Sequence, residues 1–412
     1  MNLLATRRGQ QVLFGALYLS EGAPIGFIWW ALPTRLRVAG VGVETITALT
    51  SMLVLPWVFK FLWSPLIDAV RTPRWTLRSW ILSMQLLMGI SLIPLVVEDV
   101  SVNLSWMFPL LLVHACAAAT QDAAIDALAI ASVPPAERGA INGWMQVGML
   151  TGRSTLGGGA LMLEQQIGTC GVMVALIGVI WSSSLLVLAS REIGPPQVTA
   201  ESIIDRFRRL GSRLRSVSRS PVTWAGLLFA ATAGAGFEAV GAVAGPFLID
   251  RGFTSEEVGA FFALNSVMGM AAGAIVGGYL ADRLGKRAAV STFLVLMTVC
   301  ILGLAALDYD SGKQAGAWLI PAMTVLYVCI GLFTASSYAL FMEITDPALG
   351  ATQFSAFMGA TNGCESWSAF AVGKAIPLMG YPAAFSLLGL VSLGALPLVR
   401  YLTWLPRKNS SG

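Results

Sequence analysis

The stretch GGYLADRLGKR, Gly277 to Arg287, joins two apolar runs at about 257 to 280 and 288 to 307. Its residue types specify a tight loop on the inner face of a bilayer. Gly278 allows close helix approach, and Gly285 permits a sharp turn. Asp282 can pair with a helix terminus or a basic residue, and Arg283, Lys286 and Arg287 hold the loop at the membrane surface. A degraded copy, SPLIDAVRTPR from Ser64 to Arg74, keeps Asp68 and loses both glycines, with Pro65 and Pro73 in place of the regular turn. One intact and one degraded loop predict a duplicated chain with an asymmetric inner gate.

The duplication extends outward from these loops. ALPTRLRVAGVGVETI from Ala31 aligns with AGPFLIDRGFTSEEV from Ala244, pairing Pro33 with Pro246 and Glu44 with Glu257 at an offset of 213. Asp68 pairs with Asp282 at 214 and Pro135 with Pro347 at 212. A nearly constant offset across distant landmarks predicts two related six-helix halves. The expected domains are therefore residues 1–190 and 221–412, separated by a basic linker at 191–220. Within the linker, ESIIDRFRRLGSRLRS has apolar residues at helical spacing, which predicts a surface helix on the inner leaflet, read either as a regulatory or lipid-sensing element or as a solvated linker between the bundles.

Composition sets the solvent. Hydrophobic residues make up 56% of the 412 and charged residues only 12%, with a mean hydropathy of +0.73. Soluble domains carry about 25% charged residues. Twelve apolar runs can be drawn, at about 12–35, 44–67, 76–97, 105–132, 140–163, 171–190, 222–249, 257–280, 288–307, 317–342, 352–373 and 382–404. Each is long enough to cross hydrocarbon as a helix, the form in which a spanning segment bonds its own backbone. With the amino terminus inside, 19 of the 26 Lys and Arg residues fall on the inner face, five fall outside, and Lys60 and Arg153 lie within spans. The positive-inside rule then places both termini in the cytoplasm. Arg7 and Arg8 precede an apolar run that continues past a signal-peptide core without a small-residue cleavage site, so the first span is expected to be retained. The five cysteines lie in or beside apolar runs without metal-site spacing and read as small packing residues.

The loop from Gly278 fits the signature G-x-x-x-D-R-x-G-R/K-R/K of the major facilitator superfamily at every fixed position. Within that superfamily VFKFLWSPLID (Val58 to Asp68), TQDAAIDALA (Thr120 to Ala129) and PPAERGAINGWMQVG (Pro134 to Gly148) resemble the AmpG-type muropeptide permeases, the acetyl-CoA transporters and the RhtX/FptX-type siderophore permeases. The compact length and GGGALM after Arg153 lean toward the siderophore permeases. The resemblance implies an all-α major facilitator fold of twelve helices in two six-helix bundles. It also implies secondary transport at the inner membrane, with a proton gradient rather than a cofactor as energy source. A siderophore is the first expected solute and a peptidoglycan fragment the second. The expected partners are a small molecule, anionic in one reading, and the lipid bilayer. No metal or nucleic acid is expected, and the chain is expected to be a monomer.

Charges inside the spans are the candidates for solute and proton contact, because a lone charge at mid-bilayer costs at least about 2.5–3.5 kcal/mol and must face a cavity or a partner. They are Glu21, Lys60, Asp122, Asp126, Arg153, Glu238 and Glu365. Glu21 lies about 14 Å into the first span, beside Gly22 and Pro24, which are expected to loosen the helix. Glu238 lies in the repeat-related span, about one turn apart in register. Asp122 and Asp126, four apart, share one helix face about 6 Å apart, next to Gln121, where either a proton site or a gating pair with a loop arginine such as Arg138 is open. Lys60 can form a gating salt bridge or touch solute, and Arg153 falls at the repeat position of Glu365, offset 212. Asn142, Gln146, Asn265 and Asn362 add polar cavity candidates. Phe27, Trp29 and Trp30 can stack on a ring-bearing solute or anchor the helix at the interface. His114 reads as a packed, hydrogen-bonded residue.

GAGFEA (Gly234 to Ala239) fits a dinucleotide fingerprint formally but lies in an apolar run without a preceding strand. There is no H-E-x-x-H, P-loop lysine or nucleophile elbow, so a membrane enzyme is disfavoured and the chain is expected not to be an enzyme. An exporter of the same fold and a non-transporting sensor remain the alternatives.

Overall fold

The computed structural model describes residues 2–70, 75–98, 103–134, 137–190, 219–311, 316–345 and 350–404, with scattered positions between 205 and 215. Among the described residues every regular element is helical. Ten helices of the described residues are long and apolar enough to cross a membrane: α1 (Arg7–Val38), α2 (Val43–Ser64), α3 (Leu77–Val97), α4 (Leu104–Ser132), α5 (Ala140–Ala189), α6 (Pro221–Asp250), α7 (Ser255–Leu284), α8 (Lys286–Tyr309), α9 (Ala317–Ile344) and α10 (Gln353–Leu402). Two of them, α5 and α10, run for 50 residues each, too long for one crossing. Both break at a glycine with extended ψ and positive φ, Gly168 (φ 68°, ψ 172°) and Gly380 (φ 77°, ψ 168°), a conformation open to glycine almost alone. Each therefore holds two crossings, which makes twelve. The linker residues Arg191 to Ser220 lie largely outside the described residues, as do the side chain of Asp68 and all of Arg71 and Arg74.

The two breaking glycines are 212 positions apart. So are Gly40 (φ 85°) and Gly252 (φ 89°), which follow α1 and α6. The duplication read from prolines and acids is thus repeated in the backbone turns.

The chain divides into two compact units. The first comprises residues 1–42, 52–207 and 248–264. Its main seam joins α1 to the first arm of α5 through glycines. A β-carbon on Gly152 would overlap the Leu19 carbonyl oxygen, and one on Gly22 would overlap that of Met149. Helices in a membrane associate by such close approach, because lipid supplies no hydrophobic drive between them. Gly22 is therefore a packing surface rather than a point of loosening. The irregular backbone comes one turn later, in a π-helical turn at Phe27–Ala31, matched on α5 by another at Ser154–Gly158. Leu13, Phe14, Leu17, Ile81, Ile125 and Leu128 close the core of this unit.

The second unit comprises residues 43–51, 208–247 and 265–412. Its glycine seam joins α7 to α9: Gly273 lies against the Val328 carbonyl, and a β-carbon on Gly277 would sit 2.6 Å from the Leu332 oxygen. Close approach therefore falls on Gly277, whereas Gly278, expected in that role, faces open space. A stack of aromatic rings fills the core, with Phe341 against Phe357 at 5.2 Å and Phe229 against Phe341 at 5.8 Å between centroids.

Candidate solute and proton site

The first unit gathers charge from four helices. From α2, Lys60 Nζ lies 2.5 Å from Asp122 Oδ2 of α4. One turn on, Asp126 Oδ1 accepts a 2.7 Å hydrogen bond from the Tyr18 hydroxyl of α1. Glu21, one turn after Tyr18 and only 1% exposed, lies within electrostatic reach of Asp122, Lys60, Asp126 and Arg153. The spacing explains the convergence. Tyr18 and Glu21 are three apart on α1, Asp122 and Asp126 four apart on α4, so each pair presents one face. Arg153 is brought in by the glycine seam, since Gly26 packs where a β-carbon would lie 2.6 Å from the Arg153 carbonyl.

Two atoms of this cluster stay unsatisfied. Glu21 Oε2 and Arg153 Nε are buried without a hydrogen-bond partner. Leaving such a group without a partner costs about 1–3 kcal/mol, more when charged, so each of these two atoms calls for a partner such as a water, a proton or a solute group. Thr120 Oγ1 accepts from Trp63 Nε1 at 3.2 Å beside the cluster, fixing α2 against α4.

Several expected residues have other duties. Arg138 donates to the Val133 and Ile130 carbonyls and caps the end of α4, so the gating pair considered for Asp126 is replaced by the Tyr18 bond. Gln121 is 0% exposed with both amide atoms unbonded, inside the helix bundle rather than at an open surface. It shares a face with His114, whose Nδ1 is 3.0 Å from the Met88 carbonyl, a packed histidine as read from sequence. Asn142 and Gln146 are exposed on α5. Trp30 stacks on Phe262 at 5.1 Å, Trp29 meets Trp57 edge-on at 5.7 Å, and Phe27 is fully buried, so these rings pack on protein.

In the second unit, Glu238 of α6 lies within electrostatic reach of Tyr327 of α9 and Cys364 of α10, and Glu365 acts on the same Cys364. Glu365 is thus a member of this unit's acidic group, while Arg153 belongs to the cluster of the first. Asn265 Nδ2 donates to Thr324 Oγ1 at 3.3 Å, and Asn362 is half-buried on α10. At the signature loop, Gly285 (φ 83°) ends α7, Asp282 is exposed, and Arg283 sits 4.4 Å over the Tyr279 ring. Lys286 and Arg287 both approach Glu343 of α9, at 3.9 and 3.7 Å.

Sequence reasoning missed Tyr18 and the ion pairs at the end of the helices opposite this loop. Arg37 Nε lies 2.6 Å from Asp250 Oδ1 in the first unit, two residues separated by the offset (213) that aligns Pro33 with Pro246. Aligning charges as well as prolines would have found that pair, because Arg37 and Asp250 each follow the aligned proline by four. Arg35 holds Glu164 at 3.1 Å and Thr169 at 2.9 Å. In the second unit Lys374 pairs with Glu44.

Twelve crossings among the described residues, a repeated backbone pattern and opposite charges gathered within the first unit define a polytopic membrane protein of the transporter class. The chain belongs to the Major Facilitator Superfamily, which matches residues 13–373. Among curated proteins it is 23% identical to a Rickettsia conorii protein bearing the name transporter AmpG 4, over 94% of both chains. It is 28% identical to the anhydromuropeptide permease of Escherichia coli, over 82% of this chain and 68% of that one. Solved structures share the fold. The D-xylose-proton symporter superposes with a TM-score of 0.75 at 10% identity, covering 94% of this chain and 96% of that one. The nucleoside transporter NupG gives 0.70 at 12% identity over 98% and 100%.

Proposed function

We propose that this transporter is a proton-coupled importer of a bulky polar cell-wall fragment of the anhydromuropeptide kind, working at the inner membrane with both termini in the cytoplasm. On this reading residues 1–190 and 221–412 are the two functional halves. The observation that carries coupling is the cluster of buried Glu21 and Asp122 with half-buried Lys60, Asp126 and Arg153. With all five ionised, three acids face two bases, leaving one excess negative charge away from water. One proton cancels it, and an isolated excess charge is what a low-dielectric site disfavours most. Arg153 supplies a fixed cation with a free donor for an anionic group of the solute.

The sequence motifs alone ranked a siderophore first. The likeness to an anhydromuropeptide permease over 82% of this chain supports the cell-wall fragment ahead of it. Reconstituted protein with an imposed inward proton gradient is the test, using labelled anhydromuropeptide and a labelled ferric siderophore in parallel. Accumulation of the anhydromuropeptide alone supports the proposal. Accumulation of the siderophore alone restores the other ranking, and export of either under the same gradient reverses the direction.

A further inference from the structure

Away from the charged clusters, Cys300 of α8 and Cys329 of α9 bring their sulfurs within 3.5 Å of each other. Read as separate packing residues from sequence, they meet because α8 and α9 pack side by side. Cys329 is buried and Cys300 half-buried, four residues beyond the exposed Leu296 on the same helix face. Cys300 stands midway along α8, about 21 Å from Lys286 at helical rise, so that face meets hydrocarbon rather than water.

We infer that Cys300 and Cys329 form an oxidisable dithiol that closes to a disulfide when it meets a lipid-soluble quinone. A disulfide holds its sulfurs about 2.05 Å apart, so each thiol needs to move by less than about 1 Å. The chemistry balances: the two thiols lose two protons and two electrons as the S–S bond forms, and the quinone takes both to become a hydroquinone. An apolar two-electron acceptor suits the site because it partitions into the layer that half-buried Cys300 borders. The product fastens α8 to α9, the helix whose Tyr327 lies beside Glu238.

The test uses the full-length protein in lipid nanodiscs and tetramethyl-1,4-benzoquinone, whose ring carbons are all substituted and resist thiol addition. After treatment, quenching and alkylation, peptide mass spectrometry should find one linked species containing Cys300 and Cys329, lighter by two hydrogens and cleaved by dithiothreitol. Cys300→Ser and Cys329→Ser should each abolish it, while Cys116, Cys170 and Cys364 stay alkylated as before. Full alkylation of both cysteines after quinone treatment, or a link from either one to a different cysteine, would overturn the inference.

Discussion

Replacing Lys60 with methionine should destabilise the protein more than neutralising its partner does. Breaking a fully buried ion pair by removing one member costs about 3–5 kcal/mol, whereas an exposed pair is worth about 0–1 kcal/mol. The Lys60 side chain is 30% exposed and that of Asp122 10%, which places this pair between the limits. Lys60→Met leaves Asp122 ionised beside Glu21 and Asp126 without its cation, at a cost of about 2 kcal/mol on that interpolation. Asp122→Asn leaves an ammonium on a long stem that can lean toward water, and should cost about 1 kcal/mol. The double variant should cost about 1 kcal/mol less than the two singles together, because the unpaired charge created by Lys60→Met is then gone. Equilibrium unfolding in detergent by denaturant titration, with all four proteins in one buffer, measures each value. Lys60→Met within about 0.5 kcal/mol of wild type, or strictly additive singles, would show that the pair carries no such coupling.

Tyr18→Phe removes the hydroxyl bonded to Asp126 and should cost about 1 kcal/mol in the same unfolding assay while sharply lowering gradient-driven uptake. Gly168→Ala should destabilise by about 1–3 kcal/mol, because its backbone conformation is open to glycine almost alone. Gly178→Ala, in the second arm of the same helix with open space around it, should be neutral or stabilising by up to about 1 kcal/mol. Arg37→Asp should lower uptake and Asp250→Arg in the same chain should restore it, read in reconstituted vesicles; failure of the exchange to restore transport separates a charge role from a positional one.

The fold was legible because hydrocarbon leaves few choices: each apolar run had to be a helix, and the loop from Gly278 with its nearly constant repeat offset pointed to a duplicated chain of the major facilitator kind. The glycines were legible in number but not in duty. Gly278 and Gly277 differ by one position, and only the facing Leu332 carbonyl decides which of them lets the helices touch. Charge inside spans marked Glu21, Lys60, Asp122, Asp126 and Arg153 in advance, since an intramembrane charge needs a reason. Which charge meets which could not be read, because Lys60 and Asp122 are 62 positions apart and meet only through helix packing. Tyr18 was silent for a different reason: an apolar ring with one hydroxyl looks like core until its partner is seen. The tryptophans near the end of α1 were legible as stacking groups, but their partners are other aromatic side chains of the protein.

On the proposed function, the charged cluster on α1, α2, α4 and α5 takes up a proton with each solute. This is tested most directly by following external pH as anhydromuropeptide is added to weakly buffered vesicles holding the wild type or Glu21→Gln. Solute should trigger alkalinisation outside the wild-type vesicles and none with Glu21→Gln, at matched protein levels and retained solute binding. Solute entry into wild-type vesicles without any proton movement, or an equal pH signal from Glu21→Gln, would contradict it.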